Sequence, residues 1–259
     1  MTHLEAPNLM DFPLIVFVFS LLVLWSSSKF GFYLQSRRAL KEMEREDVGI
    51  ILGATLTLLG LIIGFTFSMA VSRYDQRKLY EEEEANAIGT EYVRAGILPQ
   101  ADVAKVRTML RAYLDQRVLF YSTRDPRRIA VIKAATSRLE NDLWSVMESA
   151  AAAQPTQPVA LVVSGMNDVL NSEGYTQASW WNRIPVAAWM LMGTIAICGN
   201  VLVGYNGHHT APKLMQFFVL PLLISIAFLL IADLDSPNGG LIRVAPQNLL
   251  SLAASLGAP

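Results

Sequence analysis

The sequence predicts an all-α integral membrane protein: four membrane-crossing helices in two hairpins, with a helical insert between the second and third. Three observations predict it. Four segments stay apolar over the roughly 20 residues that a spanning helix needs. Only 17% of the 259 residues are charged, where a soluble domain carries about a quarter, and those charges crowd between Arg73 and Glu148. Within that charged stretch apolar residues recur at helical spacing, and no strand-period run stands out along the chain. The expected organisation is a first hairpin over 1–72, an extramembrane helical domain over 73–183, a second hairpin over 184–232, and a C-terminal turn with a short amphipathic helix over 233–259.

The first span reads FPLIVFVFSLLVLWSSSKFGFY, from Phe12 to Tyr33. It lacks a preceding Lys or Arg and a nearby small-residue cleavage site, so it is expected to be retained and not to be a secretory signal. Lys29 can snorkel to the headgroups. The second span, Val48 to Val71, is uncharged and runs without proline into RYDQRKLYEEEE. One helix is expected to continue through both, with Ala85, Ile88, Tyr92 and Ile97 as its apolar contacts in the insert. After Pro99, Val103, Val106, Leu110, Tyr113 and Leu114 trace an amphipathic helix.

Asp125 and Pro126 form a helix-start pair, an N-cap acceptor before a first-turn proline. Behind it Ile129, Ile132, Thr136, Leu139, Leu143 and Met147 recur at steps of three and four. AAAQPTQP (151–158) is the clearest break, followed by an apolar helix over Val159 to Leu170. The third span, Val186 to Tyr205, follows Pro185, with Trp180, Trp181 and Trp189 as interfacial anchors. The fourth, Leu214 to Ala232, contains Pro221, a predicted kink that neighbouring helices tolerate. Pro246 to Leu256 is an amphipathic helix that needs a surface.

Several function classes fall away. A net charge of −1 gives no bulk attraction to nucleic acid. The lone Cys198 cannot form an internal disulfide. No GxSxG, P-loop or HExxH occurs, so neither an enzyme nor a cofactor is expected. No ionisable residue lies in the cores of the spans, which counts against a proton-coupled transporter. His208 and His209 sit side by side in NGHHTAP without the three or four ligands that a metal site needs. Asp233 and Asp235 resemble the start of a calcium loop but lack its later acidic ligand. A turn role is expected for them, and no metal site. Glu81–Glu84 circle their helix as a solvated, salt-bridged face, with a cation-attracting ring in an oligomer as the alternative. Asn200 is expected to make an interhelical hydrogen bond.

The second span carries two patterns. Gly49, Gly53, Thr57, Gly60, Gly64 and Ser68 form a ladder of small residues at steps of three and four. Small residues let helix backbones approach closely in lipid, and GLIIG matches GxxxG. On another side, Thr55, Leu59, Ile62, Thr66, Met69, Arg73 and Arg77 share one line. That stripe is either a packing face or a pore lining with an apolar constriction and a basic vestibule.

RYDQRKLYEEEEANAIG after GFTFSMAVS, NDVLNSEGYTQASWWNRIP (167–185) and ADLDSPNGGLIRV (232–244) occur in this order. Together they resemble the bacterial bestrophin-like family, whose domain has no assigned function. Bestrophins are pentameric anion channels, so the resemblance implies a homo-oligomer, a pentamer, in the lipid bilayer of the bacterial inner membrane. It implies a second helix that lines the pore and continues into a cytosolic domain. An aspartate-rich turn after the fourth span helps to bind calcium in bestrophins; here that cluster is reduced to Asp233 and Asp235. The aromatic run past the second helix is reduced to Tyr74 and Tyr80. Arg37, Arg38, Lys41 and Arg45 in the first loop place the insert outside by the positive-inside rule, while Arg73, Arg77 and Lys78 nearly balance them. The resemblance places the insert in the cytosol, and that orientation is adopted. Two functions stay open: an ion channel, for anions by resemblance, and a non-conducting scaffold or sensor whose insert binds a partner.

Overall fold

The computed structural model describes residues 12–37, 42–207, 213–237 and 239–257. His208, His209, Arg38 and Lys41 lie outside the described residues. In chain order the helices are α1 (Pro13–Arg37), α2 (Glu42–Arg94), α3 (Gln100–Ser122), α4 (Pro126–Ala153), α5 (Gln157–Trp181), α6 (Val186–Tyr205), α7 (Lys213–Asp235) and α8 (Gln247–Gly257), with a 3-10 turn at Ala95–Ile97. No strand occurs among the described residues. Four helical stretches are long and apolar enough to cross a membrane. The chain is thus an all-α membrane protein with four candidate spans. α2 is one unbroken helix of 53 residues, and α7 continues through Pro221.

Contacts divide the chain into two compact units, residues 1–73 with 183–243, and residues 74–182 with 244–259. The division falls inside α2, between Arg73 and Tyr74. The last helix therefore folds with the insert, and the turn after α7 folds with the spans.

In the first unit α1 and α6 run side by side in the same direction. The Ser28 hydroxyl donates to Asn200 Oδ1 at 3.1 Å, and Gln35 Nε2 donates to the Gly207 carbonyl at 2.9 Å, both 172 positions on. Asn200 Nδ2 donates to the Ala196 carbonyl at 2.8 Å, so this amide is the interhelical link expected. Two glycines permit the approach. A Cβ on Gly31 would stand 2.0 Å from the Val201 carbonyl oxygen, and one on Gly204 2.0 Å from the Ser28 carbonyl oxygen. Close backbone packing by small residues is therefore present between α1 and α6, where the sequence reading did not look for it. Trp189 packs edge-on against Phe228 at 6.0 Å.

In the last turn of α7, Asp233 accepts the backbone N–H of Leu241 (2.7 Å) and of Ile242 (2.8 Å), one on each carboxylate oxygen. Asp235 accepts that of Ile184 at 3.1 and 3.2 Å. A Cβ on Gly240 would lie 2.5 Å from the Asp233 carbonyl oxygen, so only glycine fits this close turn.

The second unit is a bundle whose core holds Ile88, Leu110, Tyr113, Leu143, Met147 and Met166. Asp125 caps α4 by accepting the N–H of Arg127 at 2.9 Å, as its sequence position predicts. Ile129, Leu139 and Val103 pack at the margin of the core and not at its centre. Ile97 does not join it, being 48% exposed. α5 continues past Leu170 to Trp181, because no proline interrupts NSEGYTQASWW and a single glycine is tolerated. Trp180 lies tilted against Phe120 at 4.3 Å and meets Tyr121 edge-on, at the margin of this core. α8 buries Leu249 completely.

Candidate functional site

α2 is the element on which both sequence patterns lie. One side of its apolar part is covered within its own unit. Leu59 is 3% and Thr66 4% exposed, and Ala70 is fully buried. Thr55 and Leu56 lie under α6, where a Cβ on Gly199 would be 3.7 and 3.3 Å from them. The hydroxyls bond back along the helix, Thr55 to the Ile51 carbonyl and Thr66 to the Ile62 carbonyl, each at 2.8 Å. Self-bonding of this kind satisfies a hydroxyl in an apolar setting. Of the stripe Thr55, Leu59, Ile62, Thr66, Met69, Arg73 and Arg77, Met69 is exposed, Thr55, Ile62 and Arg73 are half-buried, and Leu59, Thr66 and Arg77 are buried. Leu59, Thr66 and Arg77 are thus packed within the chain itself.

The ladder of small residues lies about 130° around the helix from the middle of that buried side, at roughly 100° per residue. Gly53, Gly60 and Gly64 have nothing within 4 Å of a Cβ position, and only the Asn206 amide comes near Gly49, at 3.6 Å. Thr57 and Ser68 are exposed with them, as are Leu61, Phe65 and Met69. Only 6% of the apolar window of α2 is buried, against 50% of that of α7. The open arc of α2 is thus the least covered surface of the spans.

Past the apolar part, three acids on the inner line of α2 are buried: Glu81, Glu84 and Glu91. Glu81 caps α8, accepting the N–H groups of Asn248 and Leu249 at 3.0 Å and the Asn248 amide at 2.7 Å. A carboxylate at a helix N-terminus satisfies donors that have no partner inside the helix. Glu84 pairs with Arg117 of α3 and accepts from Tyr121 (3.3 Å) and Thr176 (3.2 Å). Arg117 also approaches Glu173 at 3.6 Å. Burial, the largest single influence, would lower the Arg117 guanidinium, but Glu84, Tyr113 and Glu173 together outweigh it and the net shift is upward. Burial, then Glu84, pushes the Tyr121 phenol up. The solvated-face reading of Glu81–Glu84 therefore holds for Glu82 and Glu83 alone, which are exposed. The missed signal was spacing: Glu81, Glu84, Ile88, Glu91 and Ala95 form one line at steps of three and four, with acids on an apolar stripe.

An apolar cleft of about 240 Å³ lies among α1, α6 and α7, lined by Phe19, Trp189, Gly193 and Phe228 among others. No titratable group lines it, so it offers no chemistry. For calcium, the residues at the end of α7 do not fit. The carboxylates of Asp233 and Asp235 are engaged by backbone N–H donors, and the described residues hold no group of three or more His, Cys, Asp or Glu suited to a metal ion.

A family model for the Bestrophin-like domain matches residues 17–249. Among solved structures, that of a bacterial bestrophin homolog from Klebsiella pneumoniae is similar with a TM-score of 0.61 and 18% identity, over 92% of this chain and 98% of that one. A point variant of the same homolog gives a TM-score of 0.63 at 18% identity, over 93% and 97%. No curated protein matches the chain in sequence.

Proposed function

Because the chain belongs to the bestrophin-like family, we propose that it is a homo-oligomeric anion channel, a pentamer of the bacterial inner membrane with its insert in the cytosol. α2 of each copy faces the common axis. The carrying observation is the open arc of α2, where Gly53, Gly60 and Gly64 meet nothing within 4 Å in the single chain. Lipid supplies no hydrophobic drive between helices, and small residues favour close approach of a partner helix. The arc then gives the neighbouring copy its glycines and turns Leu61, Phe65 and Met69 toward the axis as an apolar constriction. Ions entering such a ring shed water without replacement contacts, which closes it until it is wetted. Arg73 stands at the end of the apolar part and favours anions.

Size measurement in detergent and anion flux into liposomes test this. The wild type is expected to run as an oligomer, and Gly64→Leu as a smaller species. Phe65→Ser is expected to raise flux, and Arg73→Glu to lower the preference for anions. A monomeric wild type overturns the assembly. An intact oligomer without flux from any of these proteins leaves a non-conducting scaffold or sensor.

A further inference from the structure

Glu81, Glu84 and Glu91 share one buried line of α2, but only the first two are given partners. Glu81 holds the start of α8, and Glu84 holds Arg117. Glu91 is fully buried, and neither of its carboxylate oxygens has a hydrogen-bond partner. It has a glycine instead. A Cβ on Gly165 of α5 would stand 2.1 Å from Glu91 Oε2 and 2.6 Å from Arg94 Nη1. The recess left by the missing side chain is the seat of the carboxyl group.

The charged groups acting on it are Arg94, from its own helix, and Asp168 of α5. Arg107 and Arg111 of α3 are turned to the next residue, lying over the Tyr92 ring at 5.1 and 5.4 Å. α8 reaches Gly89 with Leu252 and carries no titratable side chain. Burying an ionised carboxylate without donors costs far more than burying a neutral one. A seat of this kind suits the protonated form. Burial raises Glu91 to about 8, with Arg94 opposing and Asp168 adding.

We propose that Glu91 is a protonation latch: the last turns of α2 dock on α5 at Gly165 with the carboxyl group neutral, and loss of the proton releases them. The sign follows from linkage. The released state ionises at the ordinary carboxylate value and the docked state only near 8, so docking is firm at low pH and weakens as pH rises between the two. Over that window one proton per molecule shifts the equilibrium about tenfold per pH unit, and above it the effect levels off. The latch is independent of whether the oligomer conducts.

Hydrogen exchange on the full-length protein in detergent, from pH 5.5 to 9, tests it in peptides covering 88–97 and 160–170. Local opening of the wild type is expected to rise about tenfold per pH unit up to pH 8, relative to Glu91→Gln at the same pH. Glu82→Gln, at an exposed position, should keep the wild-type profile. In a Glu140→Gln background, an infrared band of a protonated carboxyl group is expected to vanish with a midpoint near pH 8 and to be missing from the double variant with Glu91→Gln. Equal pH dependence in wild type and Glu91→Gln overturns the latch. So does the lack of a carboxyl band titrating near 8, which decides the matter even if Glu91→Gln does not fold.

Discussion

Arg117 and Glu84 form an ion pair inside the helical unit with neither side chain reaching solvent, at 1% and 0% exposure. The second contact of the pair, Arg117 Nη2 to Glu84 Oε2, is 3.4 Å. Removing one partner of such a pair leaves an uncompensated buried charge and costs about 3–5 kcal/mol. Arg117→Met is expected to lose that much in denaturant unfolding followed by tryptophan fluorescence. The double variant with Glu84→Gln should recover most of it, since a neutral pair strands no charge. A single variant as stable as the wild type would remove the pair from the core energetics.

Glu81 makes a different prediction. Its carboxylate holds three donors of the Asn248–Leu249 turn. Glu81→Ala is expected to weaken α8 by about 1–2 kcal/mol, the scale of a lost N-cap. The readout is faster amide exchange in 247–257 and protease cleavage near Gln247, with the exchange of α3 and α4 little changed.

Glycines at two places should respond in opposite ways. Gly204→Ala drives a methyl group into the Ser28 carbonyl oxygen, 2.0 Å away, and is expected to reduce the yield of folded protein sharply. Gly64→Ala meets nothing within 4 Å and should leave the single chain as stable or up to about 1 kcal/mol more stable, because alanine suits a helix interior better than glycine. Thermal unfolding in detergent separates the two.

Glu140 adds a pH dependence. Burial raises it to about 7, with Glu173 adding and Arg117 opposing. A carboxyl group with a raised folded-state value weakens the fold as pH climbs from the ordinary carboxylate range to that value. The Tm of Glu140→Gln should therefore gain on that of the wild type between pH 5 and 7 and hold its advantage above. A difference independent of pH would show that Glu140 titrates normally.

Much of the fold was legible because few forces compete in lipid. Length and apolarity define a span, and α6 begins and ends at Val186 and Tyr205 as expected. Asp125 with Pro126 marked the start of α4 for an equally local reason. The partners of each face were less legible. Gly31 and Gly204 are single glycines in their helices' contact faces, without the repeated pattern that drew notice to α2. The buried acids were hidden by their setting. Glu81 and Glu84 sit in a run of four glutamates that reads as solvent-facing, and only their coincidence with Ile88 on one helical line distinguishes them. Periodicity shows that α2 has two faces, but the tertiary packing decides which is covered, and it covers Leu59 and Thr66 while leaving Gly60 and Gly64 open.

The side-by-side run of α1 and α6 also sets a schedule for biosynthesis. Ser28 and Gln35 find their partners 172 positions later in the chain. At roughly 5–20 residues per second, the ribosome needs on the order of 10–35 s to supply them. During that interval α1 exists in the membrane with two polar side chains and a bare glycine notch awaiting α6. A lasting neighbour of α1 is therefore a helix made only after the whole insert. A nascent chain arrested before Tyr205 should hold α1 in an environment that the finished protein does not contain.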